Sequence, residues 1–370
     1  MAERFHTITA PGVSLTLDLA VGHVRAFEIE AGGRKLAPLH TAPWVNDRSI
    51  TDDPEIPPNL KYLSGDFFCA PFAASDVETA PPHGWPANAP WEVLDEESRG
   101  DRATARYVLT KPVMGARVTK EITLRGGHPF AYQRHTFEGG RGAVSAASHA
   151  MTRFSGKGRL SFSKKAYADI PALAQETDPK RGRSLFKCPA RFTDLAKLPL
   201  ADGSFVDLRD YPLADGHEDF LMLVEEKGAT LGWAAALRPG ESDIVLSLKN
   251  PADYPVTFLW FSNAGRYYAP WNGRHKGVLG IEEGRAWSAY GHKASIEENE
   301  LSRSGIPTSV TLGGTVSLSH VVGGIPLPAG WREVATVQAG DGVLRLTGDD
   351  GTAVEYPYDP GFVRIGSSQP

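Results

Sequence analysis

The chain lacks most of the features that mark a function class at sight. Its 370 residues include two cysteines, Cys69 and Cys188. Two thiols cannot build a disulfide framework, so we expect buried thiols in a reducing compartment. No apolar run approaches the ~20 residues that span a bilayer as a helix. The opening "MAERFHTITAPG" has no apolar core of the secretory type, which predicts a cytoplasmic protein. An excess of one charge is missing too. The formal net charge is −5, from interspersed acidic and basic residues. No basic stripe suits nucleic acid and no polybasic helix suits a membrane. There is no CxxC, no paired histidine spacing, no phosphate-cradling glycine loop and no GxSxG elbow. No metal and no cofactor is expected.

Long helical periodicity is also absent. Glycine (39) and proline (28) punctuate short runs of β-type alternation instead. "SLTLDLAVGHVRAFEIEAGGRKLAPL" reads as strands with a hairpin turn at Gly32-Gly33. "RATARYVLTK", "ARVTKEITLRGG" and "FAYQRHTFEGG" read as further strands, with Val118, Ile122 and Leu124 on one face. "DFLMLVEEKGATLGWAAALRP" is two strands joined at Lys227-Gly228, and "YPVTFLWFSNAG" is a strand buried on both sides. The last segment, "REVATVQAGDGVLRLTGDDGTAVEY", predicts three strands with Gly-Asp turns. Helix is confined to a turn or two in "IPALAQETDP" and "FTDLAKL", and residues 41–60 and 171–217 are loop-rich. The expectation is an all-β protein: one large antiparallel β-sandwich over residues 1–370, with long loops and little helix.

Three stretches carry chemistry. In "APPHGWPANAPWE" the prolines forbid helix and present His83, Trp85 and Trp91 on a rigid loop. The structural alternative is a turn whose tryptophans plug a sheet end. In "SAASHAMTRFSG", His149 lies among small residues that leave room beside its ring. Its alternative is a core histidine bonded to a carbonyl. In "KGVLGIEEGRAW" an apolar strand ends in Glu282-Glu283. A solvated turn would explain the pair, and a carboxylate aimed into a concave sheet would be a general base.

In this order, the three stretches resemble the galactose mutarotase (aldose 1-epimerase) superfamily, in its divergent branch of sugar-phosphate mutarotases. "PHGWPANAPWEV" matches the early His-Gly loop, "SHAMTRFSG" the mid-chain histidine, and "GVLGIEE" the late glutamate after a short apolar strand. The likeness extends over about residues 10–335, through "VTKEITLRGGHPFAYQRHTFEGG", "TFLWFSNAGRYYAPWNGRHKGVLGIEE" and "GGTVSLSHVVGGIPLPAGW". The chain departs from the pattern at "HGWPAN", where the usual arginine is replaced.

The resemblance implies an isomerase that interconverts the anomers of a hexose or hexose phosphate. Glu282 would be the base and His149 the acid, with Glu283 the second choice of base. His83 would position the sugar. The family's hydroxyl-binding aspartate falls on Asp219, with His217 or Asp215 as alternatives. Trp85, Trp91 or Trp271 would stack on the sugar. Arg266, Arg274 and His275 form a basic cluster suited to a phosphate or uronate, with Arg48 and Arg153 as further candidates. The partner is a monosaccharide or sugar phosphate, not nucleic acid or membrane, and the protein is a monomer or homodimer. A carbohydrate-binding or sensing protein without turnover is the alternative on the same fold. A glycosidase or lyase would need a second carboxylate or a tyrosine base, for which Tyr267, Tyr268, Asp66 and Asp76 are the candidates.

Overall fold

The computed structural model describes residues 3–364. Strands make up 48% of it and helix 7%, so the chain is all-β as expected. Two large antiparallel sheets dominate. The first has seven strands: in spatial order Ala190–Phe192, Lys165–Ile170, His217–Glu225, Val256–Asn263, Val278–Arg285, Ala146–Arg153 and Phe68–Cys69. The second has nine and runs from Asp210–Tyr211 at one edge to Trp91–Arg99 at the other. A four-stranded N-terminal sheet, a three-stranded C-terminal sheet and two two-stranded ribbons accompany them.

The alternation of side chains sets the layers. In the seven-stranded sheet Leu221, Leu223, Leu259, Phe261, Leu279 and Ile281 point inward. They meet Leu160, Ala234, Ala236 and Val245 of the nine-stranded sheet in one buried cluster. Residues of opposite parity, including Phe220, Met222, Phe258 and Trp260, point outward beneath a roof of loops that brings Trp44, Leu63, Phe72 and Trp271. Fully burying a side chain of this size stabilises by ~1.5–3 kcal/mol. The strand Val256–Asn263 is buried at every position because both its faces are covered.

Most expected strands are present. Gly32 and Gly33 make the hairpin turn with φ of 60° and 74°, and Ala31 pairs with Arg34 across it. The turn at Lys227-Gly228 carries the chain from one large sheet to the other, since His217–Glu225 and Gly232–Arg238 belong to different sheets. The three C-terminal strands pair as predicted. Two helix expectations fare differently. "FTDLAKL" contains a short helix at Leu195–Lys197, whereas "IPALAQETDP" is loop beyond the strand that ends at Ile170. Short helices at Arg48–Thr51 and Pro58–Lys61 instead interrupt the stretch read as loop, each entered through a cap or a proline.

Candidate active site

His149 and Glu282 sit directly opposite each other on neighbouring strands, on the outward face of the seven-stranded sheet. His149 Nε2 lies 3.2 Å from Glu282 Oε1. Two glycines make room around the carboxylate. Gly280 and Gly284 share its face, and a Cβ at Gly284 would come within 2.2 Å of the Phe258 ring. At Gly280 it would lie 3.1 Å from Trp260 Cβ. The rings of Phe258 and Trp260 thus lie over bare backbone on either side of Glu282.

The roof places His83. Its loop turns at positive φ through His83 (67°) and Gly84 (72°), and a Cβ on Gly84 would overlap the Ala70 carbonyl oxygen at 1.9 Å. Asn88 pins the loop, donating to the carbonyls of Pro82 and Gly84 and accepting from the backbone of Asn59. His83 Nδ1 contacts Cys69 Sγ at 3.3 Å. The rings of His83 and Trp260 stand edge-on to His149 at 5.5 and 5.6 Å, and Phe67 stacks on it at 4.4 Å.

These groups enclose a cavity of about 310 Å³. Leu63, Phe67, Phe72, Phe220, Trp260 and Trp271 give it apolar walls. Asn59, His83, His149, Gln175, Arg266 and Glu282 supply its polar groups. A wider groove of about 840 Å³ lies against the C-terminal sheet, near Trp233 and Val337, and has no histidine in its lining. Among the described residues, no three His, Cys, Asp or Glu side chains are grouped to hold a metal ion.

Burial governs the charge states of the cavity. It pushes Glu282 well above the usual carboxylate range. It takes His149 well below the usual imidazole range, and His83 opposes a positive charge there as well. Burial also lowers His83 to about 4 and keeps the Cys69 thiol protonated. An isolated carboxylate and imidazolium at this separation would favour the ion pair, but here the loss of solvent outweighs it. The free pair therefore holds one proton and no net charge.

No protein-family model matches the chain, and no curated protein matches it in sequence. Solved structures do match. An aldose 1-epimerase candidate from Escherichia coli K12 superposes with a TM-score of 0.57, over 87% of this chain and 99% of its own, at 14% identity. A mutarotase candidate from Salmonella typhimurium gives 0.54 over 86% and 90%, at 12% identity. A galactose mutarotase-like protein from Clostridium acetobutylicum gives 0.51 over 86% and 93%, at 14% identity. The chain has the galactose mutarotase-like fold. At these identities the likeness is one of fold.

On this mutarotase-like scaffold, five of the residues singled out in the sequence line the cavity: His83, His149, Arg266, Trp271 and Glu282. Trp85, Asp219 and Arg274 do not. Trp85 opens a short helix and packs on the core between the large sheets, with Lys111 over its ring. Trp91 is fully buried and donates to the Pro86 carbonyl, so both tryptophans of the loop hold structure. Trp271 is the tryptophan of that group that reaches the cavity. Asp219 has inward parity. It accepts from the backbone of Leu185 and Phe186 and pairs with His217 at 2.8 Å, which anchors a loop. Asp215 is an exposed partner of Lys276. Arg274 turns away to Asp47 at 3.3 Å and to the Pro270 carbonyl.

The basic cluster is therefore not assembled. His275 is buried against Trp260, and burial keeps it uncharged. Arg48 pairs with Asp52 at the surface, and Arg153 is an exposed residue that reaches the Lys276 carbonyl. Asp66 lies between the large sheets, accepting from Gln133, and Asp76 bonds the backbone of Lys293. Tyr267 is exposed, and Tyr268 donates to Glu176. Among the described residues, no second carboxylate or tyrosine lines the cavity opposite Glu282.

Sequence reasoning missed Glu218. It shares the outward face and accepts from Trp260 Nε1 at 2.5 Å and Ser262 Oγ at 3.0 Å. Burial lifts it to about 7, against the pull of Arg266. The strand "HEDFLMLVE" is buried at every position, so no polar–apolar alternation reveals which residues face out. The signal that was present is "GIEEG", whose glycines frame Glu282 at two-residue spacing.

Proposed function

We propose that the cavity binds a cyclic aldose and that the His149–Glu282 pair moves the protons of mutarotation. The observation that carries this is the pair itself: an acid–base couple 3.2 Å apart on the floor of an aromatic-walled pocket. Aromatic walls suit the apolar faces of a pyranose, and the few polar groups suit its hydroxyl edges.

Ring opening takes one proton and gives one. Once sugar binding moves the Glu282 proton across the 3.2 Å contact to His149, the pair is carboxylate and imidazolium, and Glu282 accepts the proton of the anomeric hydroxyl as the bond from the anomeric carbon to the ring oxygen breaks. His149 donates its proton to that oxygen. The products are the open-chain aldehyde, a neutral carboxylic acid and a neutral imidazole. The neutral pair is also the state that burial favours without ligand. Rotation of the aldehyde and reversal of both transfers closes the other anomer. His83, accepting the Cys69 thiol proton at Nδ1, keeps an N–H on Nε2 to hold a sugar oxygen.

The test is polarimetry on freshly dissolved α-glucose and α-galactose. Wild type should speed the decay to equilibrium, and Glu282→Gln and His149→Ala should each lose ~10²- to 10⁴-fold of that acceleration. Saturable sugar binding with no acceleration would replace this reading with a carbohydrate-binding protein. That alternative draws on the same cavity and on the uncharged resting state of its pair.

A further inference from the structure

We infer that the Glu176–Arg266–Glu218 cluster makes the cavity selective for an uncharged sugar, so that phosphorylated and uronic sugars are excluded. The inference rests on the proposed reading for the sugar itself. The exclusion of anions is a separate binding claim.

Among the described residues, Arg266 is the one arginine or lysine in the cavity lining. Its Nε donates to Glu176 Oε1 at 2.7 Å, and its Nη1 lies 3.3 Å from Glu218 Oε1. The guanidinium sits 4.8 Å from the Trp271 ring centroid, with its side chain 15% exposed. Both carboxylates are fixed by other bonds and are more buried than the arginine. Glu176 accepts from Tyr268 at 2.9 Å, and Glu218 accepts from Trp260 and Ser262. The cluster thus sets two carboxylates against one cation. If Glu218 takes up a proton, Glu176 alone still balances Arg266. In neither state does the cluster carry net positive charge.

The rest of the lining adds none, because His83 and His149 are held neutral by burial. A phosphate brings about −1.5 to −2 charges. Placed here it would be desolvated beside carboxylates that already balance the one guanidinium, which is strongly unfavourable. A neutral hydroxyl meets a different site. The guanidinium donors left over by Glu176, Glu218 and Gln175, which accepts from Nη2 at 3.4 Å, can still bond an uncharged oxygen. The two glutamates therefore convert an anion receptor into a hydroxyl receptor.

The cleanest test reads anion binding without catalysis. Inorganic phosphate is titrated at low salt into wild type, Glu176→Gln and Glu218→Gln, following calorimetric heat and the fluorescence of Trp260 and Trp271. Each substitution removes one carboxylate and keeps the side-chain shape. Wild type should show no saturable binding in the millimolar range. At least one glutamine variant should bind about tenfold more tightly or better, and adding Arg266→Gln should cancel the gain. Circular dichroism identifies a variant that fails to fold, and the other glutamate then carries the test. Submillimolar binding by wild type that Arg266→Gln removes would overturn the inference, as would folded glutamine variants no better than wild type. Polarimetry separates this from the parent reading. Preference for hexose 6-phosphate over hexose defeats the selectivity and leaves a mutarotase. Inertness toward every sugar defeats the mutarotase and leaves the anion result standing.

Discussion

Glu282 and Glu283 are consecutive residues on one strand, and both are fully buried. Their charge states are opposite. Glu282 faces outward with His149 Nε2 at 3.2 Å, and burial favours its protonated form. Glu283 faces inward, between the two large sheets. There Lys249 Nζ lies at 2.6 Å, and Ser247 and Thr257 each donate at 2.7 Å. Burial opposes its ionisation too, but Lys249 and Lys165 outweigh it and hold Glu283 at about 2. Lys249 also pairs with Glu225 at 2.9 Å, and Lys165 pairs with the same carboxylate. Burial alone therefore does not set a group's charge; compensation does. The inner face uses compensated charge as structure. The outer face leaves one acid and one base uncompensated, which suits groups that must exchange protons.

Removing compensation on the inner face should have the largest effect. Lys249→Met strands Glu283 and half of the Glu225 pairing in the core. A loss of ~3–5 kcal/mol is expected in urea unfolding at pH 7, with much of it recovered when Glu283→Gln is added. A Lys249→Met protein as stable as wild type would mean the inner network is not ionised.

Acid should separate the two faces by pH. His83 and His40 are lowered to about 4 and His23 to about 3, by burial first. Depressed folded values stabilise above the unfolded pKa near 6.5, and that stability is lost as pH falls toward 4. Glu218 works in the opposite sense. Its folded value of about 7 favours folding at low pH, and that contribution is lost as pH rises from 4.5 through 7. Glu282 and Asp253, the latter lifted to about 6, act with Glu218, but His135, His149 and His275 are lowered further still, so a net loss of stability is expected between pH 7 and 4.5, read as a fall in Tm. The Glu283 network should weaken only between about 4.5 and 2. A Tm unchanged down to pH 4.5 would contradict neutral buried histidines.

Gly284→Ala tests the frame around the pair. The new methyl group meets the Phe258 ring, and displacing that ring should cost ~1–3 kcal/mol in thermal unfolding. The smallest stability effect belongs to Glu282→Gln. An amide replaces a carboxyl that is already uncharged, so less than about 1 kcal/mol is expected, even as proton transfer is lost.

This contrast also explains what could be read from the sequence. Alternation and turn residues revealed the strands, including the Gly32-Gly33 hairpin and the three C-terminal strands. The family-like order of His83, His149 and Glu282 brought together three residues that share one cavity. Parity was the missing quantity. On strands buried on both faces, nothing local separates Glu218 from Asp219, and only the glycines of "GIEEG" mark Glu282 off from Glu283. Sheet packing decides it, and it sends Asp219 and Glu283 inward. Loop aromatics such as Trp85 fail for a related reason. A ring that could stack on a ligand stacks equally well on core, and only the path of the chain chooses.

The most direct test of the account is difference infrared spectroscopy at pH 7, comparing wild type with Glu282→Gln and with Glu283→Gln. Loss of a protonated-carboxyl band in the first and of an ionised-carboxylate band in the second is the predicted result. A carboxylate band lost with Glu282→Gln would contradict it, because the outer glutamate would then be compensated by a charge that the structure does not place there.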